Sequence, residues 1–272
     1  MNRRIDSIVD TMCEDANWTT DDWIRKLKQQ ARDSCTYRHK LYDRVGLARA
    51  ERVLDVGCGT GAVTVDIAES TRGQVVGIDV DEAKLEEARR LLEVVPNLEF
   101  HVADVQDLPF EDGTFDLVIT NIVLVYVPDK QKALDEMARV AKPGGYVLAT
   151  LEPDYAGWFQ FPEGDIIDHF RANLKGMGAD LQTGRKLKWL FTKAGLETEV
   201  GMDTEDEFIF QRDDKRKAER FDEEQWVYKK ILSMTGWEEE AAEKYIGDER
   251  ERIVAGLSFN FMPGFYAIGR KP

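Results

Sequence analysis

The residues with the clearest chemistry lie in the run Val53-Leu54-Asp55-Val56-Gly57-Cys58-Gly59-Thr60-Gly61. Glycines tolerate φ angles that other residues avoid, and without Cβ atoms they let a ligand approach the backbone closely. An apolar run followed by such a turn reads as a strand leading into a helix, and open α/β sheets bind ligands at the carboxyl ends of their strands. Asp79 closes the next apolar run, Gln74 to Asp79. A carboxylate there accepts hydrogen bonds from both hydroxyls of a ribose. The two features together describe a site for a ribose-bearing cofactor.

Gly57, Gly59 and Ala62 satisfy the looser G-x-G-x-x-A form, so a nicotinamide dinucleotide also fits this much of the pattern. Asp55, at the mouth of the turn, weighs against it. A carboxylate there repels a pyrophosphate and attracts the sulfonium and ammonium groups of S-adenosylmethionine. Asp55 can equally brace the turn by accepting backbone N–H bonds, and the two roles are compatible. Cys58 occupies a turn position that needs a small residue.

These residues resemble the class I S-adenosylmethionine-dependent methyltransferases, in the broad group of ubiquinone- and menaquinone-type enzymes. Leu54 to Gly61 matches that group's first motif residue for residue, and Gly77-Ile78-Asp79-Val80 matches its second. Ala103-Asp104-Val105 is similar to the segment that holds adenine, with Asp104 near the exocyclic amine. Leu108-Pro109-Phe110, Phe115-Asp116-Leu117-Val118 and Pro143-Gly144-Gly145 resemble the loop, strand and turn that follow, so the likeness covers roughly residues 52–150. It implies a Rossmann-like α/β fold: a seven-stranded mixed sheet with the last strand antiparallel and helices on both faces. It also implies S-adenosylmethionine as cofactor, held by Asp55, Gly57, Gly59, Gly61, Asp79, Val80, Asp104, Val105 and Asn121. Arg38, in Tyr37-Arg38-His39, would reach over the site to the cofactor's carboxylate, which its planar fork suits. A solvated helix arginine is the alternative.

Methyl transfer is an in-line displacement at an activated carbon, so alignment supplies much of the rate. A general base is needed only where the nucleophile holds its proton firmly. Groups for this work belong at the carboxyl ends of the fourth and fifth strands: Asn121 and Tyr126, then Glu152, Asp154 and Tyr155. Glu152 and Asp154 can instead cap the following helix. Asn121-Ile122-Val123-Leu124 departs from the Asn-Pro-Pro-Tyr type of motif that resembling enzymes use on exocyclic base amines or glutamine amides. Trp158, Phe159, Phe161, Phe170, Phe208, Phe210 and Trp226 make the remainder aromatic-rich, as pocket lining or as ordinary core.

The elements that must position these groups follow from periodicity. From Arg52 onward, short apolar runs alternate with amphipathic stretches, the pattern of βαβ units and a parallel sheet. Strands are expected at Val53 to Val56, Gln74 to Asp79, Leu98 to Val102, Phe115 to Thr120, Tyr146 to Leu151 and Leu196 to Val200, with a strand-like piece at Phe208 to Phe210 and a closing strand at Phe259 to Gly269. Helices are expected from the glycine turn to about Ser70, at Asp81 to Val94 and at Lys130 to Val140, with two over 163–194 and two acidic ones over Asp222 to Ala255. Residues 1–50 read as an amphipathic helical cap that buries Trp18, Trp23, Ile24 and Leu27. Residues 51–272 then form one methyltransferase domain, with a helical lid insertion at about 155–255.

Composition narrows the partners. The net charge of −15 opposes a phosphate backbone, and the basic clusters at Arg25-Lys26-Leu27-Lys28 and Lys215-Arg216-Lys217 have acidic neighbours. No apolar run reaches the ~20 residues of a membrane helix, and the N-terminus has no secretory pattern. The expectation is a cytoplasmic protein acting on a small molecule, with no nucleic-acid or membrane partner. Cys13, Cys35 and Cys58 form no CxxC pair, which supports neither a disulfide framework nor a structural zinc site, and no metal is expected. A protein side-chain methyltransferase and a non-catalytic cofactor-binding scaffold are the other readings, with a nicotinamide dehydrogenase more distant.

Overall fold

The computed structural model describes residues 18–93, 95–202 and 213–272. The piece expected at Phe208 to Phe210 lies outside these residues.

Two helices, α1 (Thr20–Asp33) and α2 (Cys35–Val45), lead into β1 (Arg52–Val56). The βα units follow as α3 (Ala62–Glu69), β2 (Gln74–Asp79), α4 (Glu82–Arg89), β3 (Leu98–Val102), β4 (Phe115–Thr120), α5 (Lys130–Val140) and β5 (Ala141–Pro153). Then come β6 (Phe159–Phe161), α6 (Ile166–Gly176), α7 (Thr183–Lys193), β7 (Glu197–Gly201), α8 (Asp214–Met234), α9 (Glu239–Val254), β8 (Phe259–Phe261) and β9 (Gly264–Arg270). Seven strands form one sheet in the order β3-β2-β1-β4-β5-β9-β7. The strands from β3 to β5 pair in parallel, and β9 runs antiparallel to both its neighbours, β5 and β7. This is the Rossmann-like mixed sheet the sequence implies.

Strand side chains alternate between faces, so each apolar run feeds two cores. Leu54, Val76 and Val118 pack with Leu134 and Met137 of α5 and with Leu187 and Phe191 of α7. Val53, Val75 and Leu117 pack on the other face with Leu41 and Tyr42 of α2, Ile67 of α3 and Leu85 of α4. The helix starts are set by side chains. Asp81 accepts the Ala83 and Lys84 amides ahead of α4, and Asp129 accepts the Lys132 amide ahead of α5.

Several boundaries differ from expectation. The helix expected at Asp81 to Val94 ends at Arg89 and continues as a 3-10 turn, Arg90–Glu93. β5 begins at Ala141, because Pro143-Gly144-Gly145 is absorbed as a register shift between Phe115↔Ala141 and Leu117↔Tyr146 rather than ending the pairing. The closing strand divides at Met262-Pro263. Phe259 to Phe261 pairs with β6, while β9 joins the main sheet. Pro263 has no N–H to give a ladder, and its carbonyl accepts the Asp154 amide at 2.8 Å. The first acidic helix starts at Asp214, where Asp213 accepts the Arg216 amide.

The helical addition expected at about 155–255 is in two pieces, because α7 and β7 belong to the sheet and its cover. The pieces meet in a separate core of Ile166 and Ile167 from α6, Phe221 and Leu232 from α8, and Ala242 and Ile246 from α9. Trp18, Trp23, Ile24 and Leu27 are half-buried rather than buried, and three of them (Trp18, Trp23 and Leu27) border a cavity. Among the described residues no helix is long and apolar enough to cross a membrane.

Candidate functional site

The glycine turn is held by its own backbone and by the next strand. Cys58 donates to the Ile78 carbonyl at 2.9 Å, and Gly61 to the Cys58 carbonyl at 2.9 Å. Gly57, Gly59 and Gly61 have φ of 68°, 53° and 78°, a region costly for residues with a Cβ. Gly59 donates its amide to Asp79 Oδ2 at 2.8 Å, and Asp81 donates to Asp79 Oδ1 at 2.9 Å, so the carboxylate stands fixed across the turn. A Cβ on Gly61 would lie 2.7 Å from Leu91 Cδ1, which makes this glycine a packing requirement of α3.

Asp55 is 2% exposed and accepts the Thr64 hydroxyl at 2.7 Å. Burial pushes its carboxyl up to about 7, against the opposing pull of that bond and of Arg38. It both braces the start of α3 and faces the cavity.

The loop after β4 forms the next wall. Ile122 has φ +56°, the one left-handed residue other than glycine among the described residues. A β-branched side chain in that region is strained by about 1–3 kcal/mol and persists only where its surroundings hold it. Here they do. Ile122 donates to the Leu151 carbonyl at 2.8 Å, and Asn121 accepts the Thr150 hydroxyl at 2.7 Å. The Glu152 carboxylate takes the amides of Val123 and Leu124 at 3.0 Å and of Val125 at 3.2 Å.

In that arrangement the Glu152 carboxylate braces the loop after β4. It is fully buried, spends both oxygens on backbone donors and does not line the cavity. Burial lifts its carboxyl to about 7 in spite of those donors. Asp154 is also withdrawn. It is 2% exposed, with Arg185 Nε on Oδ2 at 2.5 Å, Arg185 Nη2 on Oδ1 at 2.6 Å, and the Gly157 amide on Oδ1 at 3.0 Å. Tyr155 alone of the three faces the cavity, and its phenol is next to that of Tyr126. Burial raises both phenols, Tyr126 to about 12 and Tyr155 well above its ordinary value, so both are neutral at ordinary pH.

Arg38 is neither solvated nor over the site. It is 1% exposed and absent from the cavity wall. Its Nε and Nη2 grip Asp66 Oδ2 at 3.1 and 2.7 Å, while Nη1 donates to the Ala31 carbonyl and Ser34 Oγ. Its partner comes from α3, and spacing along the chain does not reveal that α3 packs beside α2.

One cavity of about 630 Å³ joins these parts. Asp55, Gly57, Gly59, Asp79, Val80, Asp104, Val105 and Asn121 line one end, whereas Gly61, Arg38, Glu152 and Asp154 do not reach it. Asp104 accepts the Gln106 backbone amide at 2.8 Å. The Thr60 hydroxyl is buried at this end and has no hydrogen-bond partner among the described residues. The other end is walled by Trp158 and Phe170, which the aromatic count had marked, and by Phe221, Tyr228 and Ile253. Trp226 packs on Trp18 instead, and Phe159 and Phe161 are exposed. Ile122 and the α1 residues Trp23 and Leu27 also face the cavity. The sequence marked Trp23 and Leu27 only as core, and a positive φ at isoleucine leaves no signal in sequence.

A family model for the methyltransferase domain matches residues 47–195. An uncharacterised methyltransferase of Schizosaccharomyces pombe is 35% identical over 152 residues, which is 52% of this chain and 54% of the relative. A demethylmenaquinone methyltransferase of Staphylococcus aureus is 37% identical over 136 residues, 46% of this chain and 56% of the relative. The chain thus spans about half the length of the curated relatives it matches. Among solved structures, phosphoethanolamine N-methyltransferase 2 of Haemonchus contortus superposes with a TM-score of 0.57 at 20% identity, covering 82% of this chain and 49% of that one. With its sheet order and its glycine turn inside the matched segment, the chain belongs to the methyltransferase-domain family, with a class I fold.

Proposed function

We propose that the protein transfers a methyl group from S-adenosylmethionine to an O, N or C atom of a small, largely apolar molecule. The observation that carries this reading is the continuous cavity running from the glycine turn to a chamber walled by Trp158, Phe170 and Tyr228. The residues fit the cofactor. Gly57 and Gly59 present bare backbone on the cavity wall, Asp79 offers its carboxylate to ribose hydroxyls, and the Thr60 hydroxyl has a bond to give. Val80 and Val105 supply apolar faces for adenine, Asp104 an acceptor for its amine, and Asn121 a polar group beside the reacting end. Asp55 adds negative charge where the cofactor is cationic. The bound cofactor supplies an activated methyl carbon.

The rest of the chemistry is alignment. The Tyr126–Tyr155 pair holds an acceptor heteroatom by donating to it, and Ile122 closes the wall behind. The α6, α8 and α9 helices with α1 act as the lid, excluding water and keeping donor and acceptor in line. The −15 charge favours neutral or cationic acceptors over nucleic acid. The cytosol is the proposed setting, consistent with Cys35 and Cys58 as free thiols.

The test offers methyl-labelled cofactor to total RNA, total protein and a small-molecule extract from the same cells. The expected result is label in a small molecule. Label in RNA overturns the charge argument and the lid, label confined to one protein moves the acceptor to a side chain, and no label with intact cofactor binding means a scaffold.

A further inference from the structure

The strongest cluster of donor atoms outside the cavity lies between α2 and α3. Cys35 and His39 stand one helical turn apart on α2, so their side chains share a face. Asp66 meets them from α3, and Cys35 Sγ, His39 Nε2 and a carboxylate oxygen of Asp66 all lie within 4.8 Å of one another. Asp66 Oδ1 is 2.6 Å from His39 Nε2 and 3.8 Å from Cys35 Sγ. We propose that this trio is a binding site for a divalent transition metal of the zinc type, independent of the methyl-transfer site.

The donor set is the first argument. Thiolate, imidazole and carboxylate together suit zinc and its neighbours rather than magnesium or calcium, which take oxygen shells. Spacing is the second. Metal–ligand bonds of about 2.0–2.3 Å in a tetrahedron put adjacent donors roughly 3.3–3.5 Å apart. The sulfur–oxygen pair is already near that separation. His39 must draw back by under about 1 Å on the same scale, and its half-exposed side chain has room to turn. The ion then replaces the His39–Asp66 hydrogen bond, and the thiol proton leaves to solvent.

Orientation is the third argument. Ligating carboxylates in metal sites are usually fixed by an outer hydrogen bond. Arg38 provides it. The guanidinium holds Asp66 Oδ2 through Nε and Nη2, is itself tied to Ala31 and Ser34, and leaves Oδ1 turned toward Cys35 and His39. The solvent side, where His39 is exposed, leaves the fourth position to water. Because α3 follows directly on the glycine turn, the ion clamps the N-terminal cap to the helix that leaves that turn. No cysteine–histidine spacing announces the site, because its third ligand arrives from another helix.

The test is a titration of the full chain, with any histidine tag removed, first with Co²⁺ and then with Zn²⁺. The expected result is one equivalent of Co²⁺ showing thiolate charge transfer in the near ultraviolet and tetrahedral bands in the visible, both displaced by Zn²⁺. Cys35→Ser abolishes the charge-transfer band, and His39→Gln, which keeps a hydrogen bond to Asp66 and hence the fold, weakens Co²⁺ binding at least tenfold. Cys58→Ala leaves both unchanged, and Zn²⁺ raises the thermal midpoint of the parent chain and of Cys58→Ala more than that of Cys35→Ser or His39→Gln. A Co²⁺ spectrum of the hydrated ion, a charge-transfer band that survives Cys35→Ser, or equal affinity in His39→Gln each overturns the site. Cofactor binding is measured in parallel, and its loss bears on the proposed function rather than on the metal.

Discussion

The side chain of Val123 occupies the space a Cβ on Gly57 would need, with Cγ2 only 2.4 Å from that position. The loop after β4 is thereby keyed into the glycine turn. Gly57→Ala meets both this contact and a φ of 68°, so the turn and the loop must part. The expected result is a fall in affinity for S-adenosylhomocysteine of at least about tenfold, corresponding to ~1.4 kcal/mol, read by calorimetry on the folded variant. Unchanged affinity would remove the turn from the cofactor site.

Asp79 carries the ribose in the proposed site. Charge-assisted hydrogen bonds are worth about 1.5–3 kcal/mol each, so Asp79→Ala should cost at least about one decade of cofactor affinity. NAD should not bind the parent chain. Calorimetry with each ligand distinguishes the two, and NAD binding without S-adenosylmethionine binding would return the glycine turn to a dehydrogenase.

Glu152 and Asp55 give the protein a pH dependence of stability. Both folded carboxyls titrate near 7, well above their ordinary 4.5 and 3.8. The folded state therefore holds protons that the unfolded chain has released, and stability falls as pH rises from the unfolded values through about 7. The slope is at most about 1.4 kcal/mol per pH unit for each group. Glu152→Gln should flatten the thermal midpoint across this window. It should also lower the midpoint at every pH below 7, because an amide nitrogen faces backbone donors where an oxygen stood. A midpoint profile identical to the parent's would show that Glu152 does not titrate in this window.

For Asp55 the sign on binding is opposite. Ionised Asp55 attracts a cationic ligand, so S-adenosylhomocysteine, with its ammonium, should bind more tightly at pH 8 than at pH 6. Asp55→Asn should abolish the difference. If the variant keeps the same pH dependence, Asp55 only braces Thr64.

Arg38→Leu removes the buried partner of an ion pair and leaves Asp66 with only Cys35 and His39 beside it. Such losses typically cost about 3–5 kcal/mol. Urea unfolding should show a loss toward that size, while cofactor affinity changes by less than about threefold, or ~0.7 kcal/mol. A large affinity loss with little destabilisation would restore Arg38 to the site.

Much of the cofactor end was legible because its signal is local. A glycine turn between Val56 and Ala62, and an acid closing the next strand, are set by sequence spacing and by strand periodicity. The acceptor end was not legible, for a physical reason. A carboxylate's role depends on its partners. Those of Glu152 are three amides in the loop after β4, and that of Asp154 is an arginine on α7. Glu152 and Asp154 share a strand end with Tyr155 yet do not line the cavity, while Tyr155 does. The aromatic count marked Trp158 and Phe170 but had no way to separate them from Phe159 and Phe161, which the β6–β8 ribbon turns outward.

β7 ends at Gly201 and its neighbour β9 begins at Gly264, with Gly201 paired to Tyr266. The chain leaves the sheet after Gly201 and re-enters it at Gly264 on the neighbouring strand, and α8, α9 and β8 come between these two points along the chain. The sheet therefore holds both ends of this stretch, while its middle is held by contacts with earlier parts of the chain: β8 pairs with β6, and α8 and α9 share a core with α6.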